Sequence, residues 1–306
     1  MRPALRTYGL TKRYRGTLSL DGLDLDVPQG SIFGLVGPNG AGKTTTIQIL
    51  MNLVRPTSGR SEVLGRDSAE LGPEELTRIG YVSENQQMPD WMTIDELLAY
   101  LRPFYPTWDD ALARRMMADL SLPGNRKLRH LSRGMRMKTA LVSSLAYYPE
   151  LLILDEPFSG LDPLVREEFI GGVLNQTGET TVLLSSHDLA EIESFASHIA
   201  YLDEGRLRFS EEMDSLARRF RQIEVRVDGL HGLPRGPEWP EAWLSLQASQ
   251  ALVRFVDTRF DEERTPQEIH RVLPGTRHIS AEPMPLRAIF VALARSGSAA
   301  GAREAL

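Results

Sequence analysis

Nearly continuous apolar runs alternate with amphipathic stretches along the first two-thirds of the chain. Residues 31–37, "SIFGLVG", and 151–154, "LLIL", are typical of strands buried on both faces of a parallel sheet. Between such runs, "PLVREEFIGGVL" and "DLAEIESFA" carry apolar residues at three- and four-residue spacing, which predicts helices. The alternation predicts an α/β core whose parallel sheet is covered on both faces.

Two departures from this alternation divide the core further. Residues 4–34 contain short alternating runs separated by basic or glycine-containing turns, which predict a small antiparallel sheet. The runs "SEVLG" and "RIGYVSE" predict two more strands, and "TVLLSSH" and "HIAYLDEG" two others. From about residue 92 to residue 148 the pattern is helical throughout. We therefore predict a helical insertion within the α/β core.

The character of the chain changes near residue 210. "SEEMDSLARRF" predicts a helix that ends the core, and strand and helix patterns then follow on a smaller scale: "QIEVRVDG", "ALVRFVDT", "TPQEIHRVL" and "PLRAIFVALAR". We predict two domains, residues 1–210 and residues 211–306. The second is a small α/β appendage that contains no motif with recognisable chemistry.

The loop after "SIFGLVG" contains three glycines followed by a lysine. Gly37 to Thr44, "GPNGAGKT", has the GxxxxGKT spacing of a P-loop, in which backbone N–H groups receive phosphate oxygens. Lys43 then reaches the β- and γ-phosphates, and the Thr44 hydroxyl binds Mg²⁺. A glycine-rich turn that merely contains a lysine is the alternative, but a strand precedes this loop and a helix follows it. The predicted nucleotide-binding residues are Gly37, Asn39, Gly40, Ala41, Gly42, Lys43, Thr44 and Thr45.

Two carboxylates follow the apolar run "LLIL". This is the Walker B pattern, which places Asp155 beside the P-loop as a magnesium ligand. Glu156 projects to a different side, because adjacent residues at a strand end do so, and it can orient or deprotonate the attacking water. Without the P-loop, two acidic residues after a strand would indicate only a solvent-exposed loop.

Composition narrows the possible functions. The 306 residues include no cysteine, which excludes disulfides, cysteine-ligated metals and a thiol nucleophile. A net charge of −6 argues against the broad basic face of a nucleic-acid binder. The N-terminal stretch lacks the apolar region of a secretory signal, and no window reaches about 18 uninterrupted apolar residues. We expect a soluble intracellular protein that does not bind nucleic acid.

A second phosphate-binding pattern lies shortly before the Walker B strand. "LSRGMRMK", residues 131–138, resembles the signature of the ATP-binding subunits of ABC transporters, which usually reads LSGGQ. Leu131, Ser132 and Gly134 match, whereas Arg133 and Met135 resemble the exporter-type branch with separately encoded permeases. A serine at a helix N-cap, with glycine in the first turn, offers a hydroxyl and free N–H groups to a phosphate.

The resemblance implies further site residues. Asp162 in "SGLD" resembles the D-loop aspartate, and His187 in "LLSSHDL" resembles the switch histidine that contacts the γ-phosphate. Tyr14 in "LTKRY" resembles the aromatic residue on which adenine stacks. The resemblance assigns catalytic roles to Lys43, Glu156 and His187. It also assigns one to a residue of the loop after the strand "RIGYV".

That loop is "IGYVSENQQ", which departs from the family pattern. ABC subunits usually have a glutamine here that reaches Mg²⁺ and the attacking water, and Glu84 stands at the aligned position. Glutamate is an adequate magnesium ligand, so the predicted metal-binding residues are Thr44, Asp155 and Glu84. Gln86 or Gln87 could serve instead if the loop is longer than this alignment assumes.

The resemblance implies a P-loop NTPase fold with an N-terminal antiparallel subdomain, and a cytoplasmic ATPase that uses ATP and Mg²⁺. It implies a homodimer, or a heterodimer with a similar subunit, held on the inner face of the membrane by a separate permease, with export favoured over import. One alternative is a soluble ABC ATPase acting on ribosomes or DNA, although a single cassette without coiled coils disfavours it. Another is a regulatory module that holds ATP without hydrolysis, and Glu156 with His187 disfavours that.

Overall fold

The structure, a computed structural model, describes residues 3–84, 86–178, 180–228, 239–249 and 251–292. The chain divides into two compact units, residues 1–210 and residues 211–306. The end of the last predicted helix, "PLRAIFVALAR", lies outside the described residues, whereas residues 286–292 are helical.

The first unit contains an antiparallel sheet, a parallel sheet and a group of helices. Its strands are, in chain order, β1 (Pro3–Tyr14), β2 (Thr17–Leu23), β3 (Asp26–Pro28), β4 (Ile32–Val36), β5 (Ser58–Val63), β6 (Arg66–Asp67), β7 (Ile79–Ser83), β8 (Leu151–Asp155), β9 (Thr181–Ser186), β10 (His198–Asp203) and β11 (Arg206–Glu212). Its α-helices are α1 (Lys43–Leu50), α2 (Pro73–Leu76), α3 (Ile94–Leu101), α4 (Asp110–Asp119), α5 (Arg133–Leu145) and α6 (Pro163–Thr177).

The antiparallel sheet has the order β2-β1-β5-β6, with β3 also paired to β1. The second sheet has the order β11-β10-β4-β9-β8-β7, and the five strands from β10 to β7 are parallel. Val36 is in register with Ser186, and Asp155 with Ser185, so β4, β9 and β8 end at one edge. The loops after these strands therefore lie side by side, which is where an open α/β sheet binds its ligand.

The parallel sheet is the centre of the hydrophobic core. Every residue of β8 and β9 is buried, as their central apolar runs predict. Burial of such side chains contributes about 1.5–3 kcal/mol for each large aliphatic residue. The strand ends are thus held by well-packed elements, which is what a site of fixed geometry requires.

The predicted helical insertion consists of α3, α4 and α5 together with short 3₁₀ turns. Each helix begins at a polar cap that its sequence supplies. Thr93 and Glu96 form a reciprocal capping box at α3, and Asp109 accepts from the first N–H groups of α4. Ser132 caps α5 in the same way. The insertion is therefore three separate helices whose starts are specified locally.

One predicted helix is wrong. "DLAEIESFA" forms a single 3₁₀ turn, Leu189–Glu191, followed by irregular turns. Asp188 caps this turn by accepting from Ala190 N–H at 3.0 Å, and the buried Glu191 carboxylate accepts from Ser186 Oγ at 2.6 Å. These side-chain bonds tie the segment to the end of β9 in place of a helical ladder.

The second unit is built around one antiparallel sheet. Its elements are α7 (Met213–Arg219), β12 (Arg221–Val227), β13 (Trp243–Ser249), β14 (Leu252–Asp257), α8 (Arg264–Val272) and β15 (Thr276–Pro283), and the sheet order is β13-β14-β12-β15. Ile223, Val225 and Phe255 pack with Ile269 of α8 in a separate core. The two edge strands, β13 and β15, were not predicted individually, because most of their residues are at least partly exposed.

Candidate functional site

The loop between β4 and α1 is closely packed on its backbone. Gly40 and Gly42 have φ of +83° and +107°, a conformation that favours glycine. A Cβ at Gly37 would lie 2.0 Å from the Leu202 carbonyl oxygen, and one at Gly42 would lie 2.6 Å from Leu20 Cδ2. These glycines are therefore required by conformation and by space, as the P-loop interpretation expects.

Lys43 is the first residue of α1, and its side chain is 5% exposed. Its Nζ donates to the carbonyl oxygens of Gly37, at 2.7 Å, and Pro38, at 3.2 Å. It also lies 3.0 Å from Oε1 of Glu156. The ammonium is thus held inside the curve of the loop by groups from both the P-loop and the end of β8.

Thr44 and Asp155 come together as predicted from the two motifs. Thr44 Oγ1 donates to Asp155 Oδ1 at 3.1 Å, and Ser185 Oγ donates to the same oxygen at 2.7 Å. Burial raises the pKa of Asp155, and the charge of Glu156 raises it further, whereas the two hydroxyl hydrogen bonds lower it. The site therefore holds a carboxylate whose negative charge is costly until a cation shares it.

These oxygens fit Mg²⁺, which prefers one or two carboxylates together with phosphate oxygens and water. The Thr44 hydroxyl and the Asp155 carboxylate are close enough to bind one ion. Within the described ranges, no group of three or more His, Asp or Glu side chains could hold a metal by itself.

Glu156 and His187 also come together. Glu156 Oε2 lies 2.7 Å from His187 Nδ1, and its other oxygen faces Lys43. Glu156 has φ of +50°, and its N–H donates to Ser185 Oγ at 2.9 Å. With this left-handed backbone, the Glu156 carboxylate lies between Lys43 and His187. A carboxylate so held can act as a general base towards water.

Ser132, Gly134 and Asp162 lie where α5 and α6 begin. Ser132 Oγ accepts from Met135 N–H at 3.3 Å, and Asp162 Oδ1 accepts from Val165 N–H at 3.0 Å. A Cβ at Gly134 would lie 2.8 Å from Val165 Cγ1, so the two helices approach closely at this glycine. In the part of the chain that the structure describes, these three residues form no hydrogen bond or ion pair with the P-loop.

Tyr14 ends β1 and is 39% exposed. Lys12 Nζ lies 4.8 Å from the centroid of its ring. The ring is thus partly accessible to solvent, as stacking with a base requires.

The other predicted P-loop residues differ in their environment. Thr45 Oγ1 is 2.9 Å from Ser19 Oγ, which joins the loop to β2. Ala41 is buried, and its carbonyl accepts from Gly205 N–H at 3.0 Å. Asn39 is exposed at the outer edge of the loop. Ser19 of β2 and Gly205 of the turn between β10 and β11 thus contact the loop, and neither belongs to a motif recognised in the sequence.

The prediction that Glu84 is a magnesium contact disagrees with the geometry. Its N–H donates to the Asp155 carbonyl at 3.1 Å, so its backbone lies beside the end of β8. Its carboxylate, however, accepts from the Arg133 guanidinium and from Ser159 Oγ, the latter at 3.1 Å. Both donors contact Oε1, so this oxygen of Glu84 is engaged by side chains of the protein itself. Gln86 and Gln87, the alternative residues, are exposed.

Ser185 is the main residue of the site that the sequence reasoning missed. It contacts both Asp155 and the Glu156 N–H, and it is completely buried. The available signal was a pair of serines, Ser185 and Ser186, at the end of an otherwise apolar strand. Polar residues buried at the carboxyl end of such a strand are expected to bond to the neighbouring site.

Comparison with known proteins tests the family and the fold predicted from the sequence. The sequence profile of the family described as ABC transporter matches residues 20–159. The bacitracin transport ATP-binding protein BcrA of Bacillus licheniformis is 35% identical over 226 residues, which cover 72% of this chain and 74% of the relative. This chain belongs to the ATP-binding subunits of ABC transporters.

One further relative matches over a longer part of the chain, and two solved structures match over a similar part. The daunorubicin resistance ATP-binding protein DrrA2 of Streptomyces coeruleorubidus is 38% identical over 286 residues, covering 91% of this chain and 84% of the relative. A solved ATP-binding subunit of an ABC transporter matches with a TM-score of 0.64 and 27% identity, covering 70% of this chain and 92% of that one. An ATP-bound bacterial Atm1-family ABC exporter matches with a TM-score of 0.63 and 26% identity. This match covers 71% of this chain and 40% of the exporter chain.

The family resemblance, the P-loop NTPase fold class and the ATPase activity predicted from the sequence are thus confirmed. The chain is an ATP-binding and ATP-hydrolysing subunit that energises an ABC transporter. The alternative of an ABC ATPase acting on ribosomes or DNA has no support among these relatives. Among the described residues, no helix has both the length and the apolar character needed to cross a membrane.

Proposed function

We propose that this ABC subunit binds MgATP where β4, β8 and β9 end. The Lys43 ammonium and the N–H groups of the P-loop hold the phosphates, and Tyr14 stacks on the adenine. Thr44 and Asp155 hold Mg²⁺, which when bound supplies positive charge to the β- and γ-phosphate oxygens. The observation that carries this assignment is the contact of Thr44 with Asp155, because it joins the two motifs at one point.

In the hydrolysis step, Glu156 orients water and accepts its proton. His187 holds one carboxylate oxygen of Glu156, which leaves the other oxygen to Lys43. When phosphate oxygens bind Lys43, this second oxygen becomes available to water. His187 and Lys43 thus keep the general base, Glu156, near its position. Because Lys43 leaves Glu156 when it binds phosphate, the carboxylate oxygen becomes free only when phosphate is present.

The functional subunit in our proposal is a dimer of this chain, or a heterodimer with a similar one. Ser132 and Gly134 at the start of α5, with Asp162 nearby, complete the site of the partner. This is supported by the cap geometry of Ser132 and by the lack of a described bond from either signature residue to the P-loop of the same chain. A helix start with free N–H groups is suited to a phosphate.

The dimer serves a separate membrane permease in the direction of export, and it lies on the cytoplasmic face of the membrane through that permease. Export is supported by the name of a relative, the Nod factor export ATP-binding protein I of Cupriavidus metallidurans, which is 34% identical over 67% of this chain and 70% of its own length. We assign residues 1–210 as the ATP-binding domain, with its helical insertion at about 92–148. Residues 211–306 form an accessory domain.

Steady-state phosphate release tests the assignment of the site. Lys43→Ala should weaken MgATP binding about 10- to 100-fold, since it removes charged contacts to ground-state phosphates. Glu156→Gln should retain binding and lose at least about 100-fold in turnover, since it removes the base. Glu150→Gln, an exposed carboxylate just before β8, is the matched control and should remain active. Near wild-type turnover by Glu156→Gln would overturn the assignment of the base.

A further inference from the structure

Two residues that depart from the usual ABC pattern contact each other. Glu84 stands where a glutamine is common, and Arg133 stands where the signature usually has glycine. The Arg133 guanidinium donates to Glu84 Oε1, and Ser159 Oγ donates to the same oxygen at 3.1 Å. Three segments are joined at one carboxylate: the loop after β7, the start of α5, and the segment between β8 and α6.

The charges explain why α5 needs this carboxylate. Its first turn contains no acidic residue and begins with a positive charge, Arg133, followed one turn later by Arg136. Positive side chains at a helix N-terminus oppose the helix dipole. Two acids from the loop after β7 compensate: Glu84 pairs with Arg133, and Asp90 pairs with Arg136 at 2.7 Å.

Arg133 also packs against the segment after Glu156. A Cβ at Gly160, which has φ of +66°, would lie 2.7 Å from the Arg133 guanidinium. The guanidinium therefore lies on the glycine backbone and is confined on a second side. Because the Glu84 N–H bonds to the Asp155 carbonyl, a continuous path of contacts runs from the end of β8 to the start of α5.

We propose that Glu84 is a positioning residue that acts through Arg133. It fixes the start of α5 relative to Asp155 and Glu156 of the same chain, so that the signature serine is presented to the partner in one orientation. This deepens the proposed function and rests on it. It has an unexpected consequence: Glu84→Gln, which restores the common family residue, impairs this chain because Arg133 loses its carboxylate.

A double-mutant cycle on the full chain tests the proposal. Glu84→Gln and Arg133→Gln should each lower kcat for ATP about two- to fivefold, the range of a partly exposed ion pair, with little change in KM. The double variant should be no slower than either single variant, because both changes remove the same contact. The charge-swapped variant, Glu84→Arg with Arg133→Glu, should hydrolyse ATP faster than Glu84→Arg alone or Arg133→Glu alone.

The matched control is Arg78 with Glu150, an exposed pair that lies just before β7 and β8, at the end of these strands away from Glu84. Neutralising this pair should leave kcat unchanged. The Mg²⁺ concentration for half-maximal turnover separates the two roles of Glu84. If Glu84 acts through Arg133, this Mg²⁺ concentration is the same for the wild type, both single variants and the double variant.

A higher Mg²⁺ requirement in Glu84→Gln, with effects of the two substitutions that multiply, would overturn the proposal and make Glu84 a metal contact. Equal turnover of wild type and Glu84→Gln would also overturn it. A wild-type chain that binds MgATP without releasing phosphate would instead contradict the proposed function. The two failures are therefore distinguishable in the same assay.

Discussion

At the residue scale, Asp155 shows how the site is prepared for a cation. It is buried, it accepts from Thr44 and Ser185, and the next residue is another carboxylate. Hydroxyl donors reduce the cost of its charge but do not remove it, since burial still raises its pKa. The free protein therefore contains a local destabilisation that a bound cation would relieve.

This carboxylate gives a pH-dependent prediction. Because the pKa of Asp155 is raised on folding, its cost is absent below the ordinary aspartate pKa of about 3.9. The cost grows as pH rises towards the raised value, and it is complete above that value. Asp155→Asn should therefore raise the Tm of the nucleotide-free protein by a few degrees at pH 7 and by less at pH 4.5. Thermal unfolding of both proteins between pH 4.5 and pH 7 measures this difference in Tm. A Tm of Asp155→Asn below that of the wild type at pH 7 would contradict the prediction.

Sequence motifs predict the residues whose backbone is fixed by local structure. Thr44 lies at a set distance from the end of β4 and Asp155 ends β8, so their contact follows from a parallel sheet. The partner of Glu84 does not follow in this way. Its side chain reaches Arg133, 49 positions away in the sequence, and only the packing of the insertion brings the two together.

At the element scale, the packing of α5 on α6 positions the signature. Gly134 allows the contact, because Val165 of α6 occupies the space that a Cβ would need. Valine is stiff at χ1, so it cannot easily move aside. The first turn of α5 is thereby set by its neighbour as well as by its own cap.

We therefore expect Gly134→Ala to lower stability by about 1–3 kcal/mol through overpacking, and to slow turnover. Val165→Ala should remove much of this penalty in the double variant. Gly171→Ala in α6 is the control, since no atom lies within 4 Å of its added Cβ and alanine favours the helix by about 0.5–1 kcal/mol. Denaturant unfolding and phosphate release check both effects, and additive losses in the double variant would count against this packing.

Element type was predicted best where burial is complete. The strands β8 and β9 are completely buried, and their apolar runs "LLIL" and "VLL" predict them directly. Residues 188–196 were misjudged because Leu189, Ile192 and Phe195 have helical spacing, while Asp188 and Glu191 bond locally and stop the helix after one turn. Edge strands such as β15 lack the regular alternation of buried and exposed residues that predicts a strand.

At the scale of the whole molecule, every residue of the candidate site lies in the first unit, residues 1–210. The second unit has its own sheet and its own core. Separate cores indicate that each unit can fold with its own cooperativity. The ATP site should therefore not depend on the accessory domain for its construction.

A chain shortened after Glu212, which keeps β11 whole, should bind MgATP within about twofold of the full chain, because no contact of the site is lost. Calorimetric titration measures the affinity, and circular dichroism confirms that the shortened chain is folded. A folded chain of this length that fails to bind ATP would show that residues beyond 212 belong to the site.

The central claim is that ATP joins two chains through sites to which each contributes. It predicts that Ser132→Arg blocks this closure, since a bulky side chain fills the place where the start of α5 meets the partner's phosphate. Introduced into a Glu156→Gln chain, this substitution is the control for the decisive measurement, because it leaves the P-loop residues unchanged.

That measurement is sedimentation velocity of Glu156→Gln with saturating MgATP. Binding without hydrolysis should convert the monomer to a dimer, while the added Ser132→Arg substitution should keep it monomeric with ATP still bound. A Glu156→Gln chain that binds MgATP stoichiometrically and remains monomeric at high micromolar concentration would contradict the account.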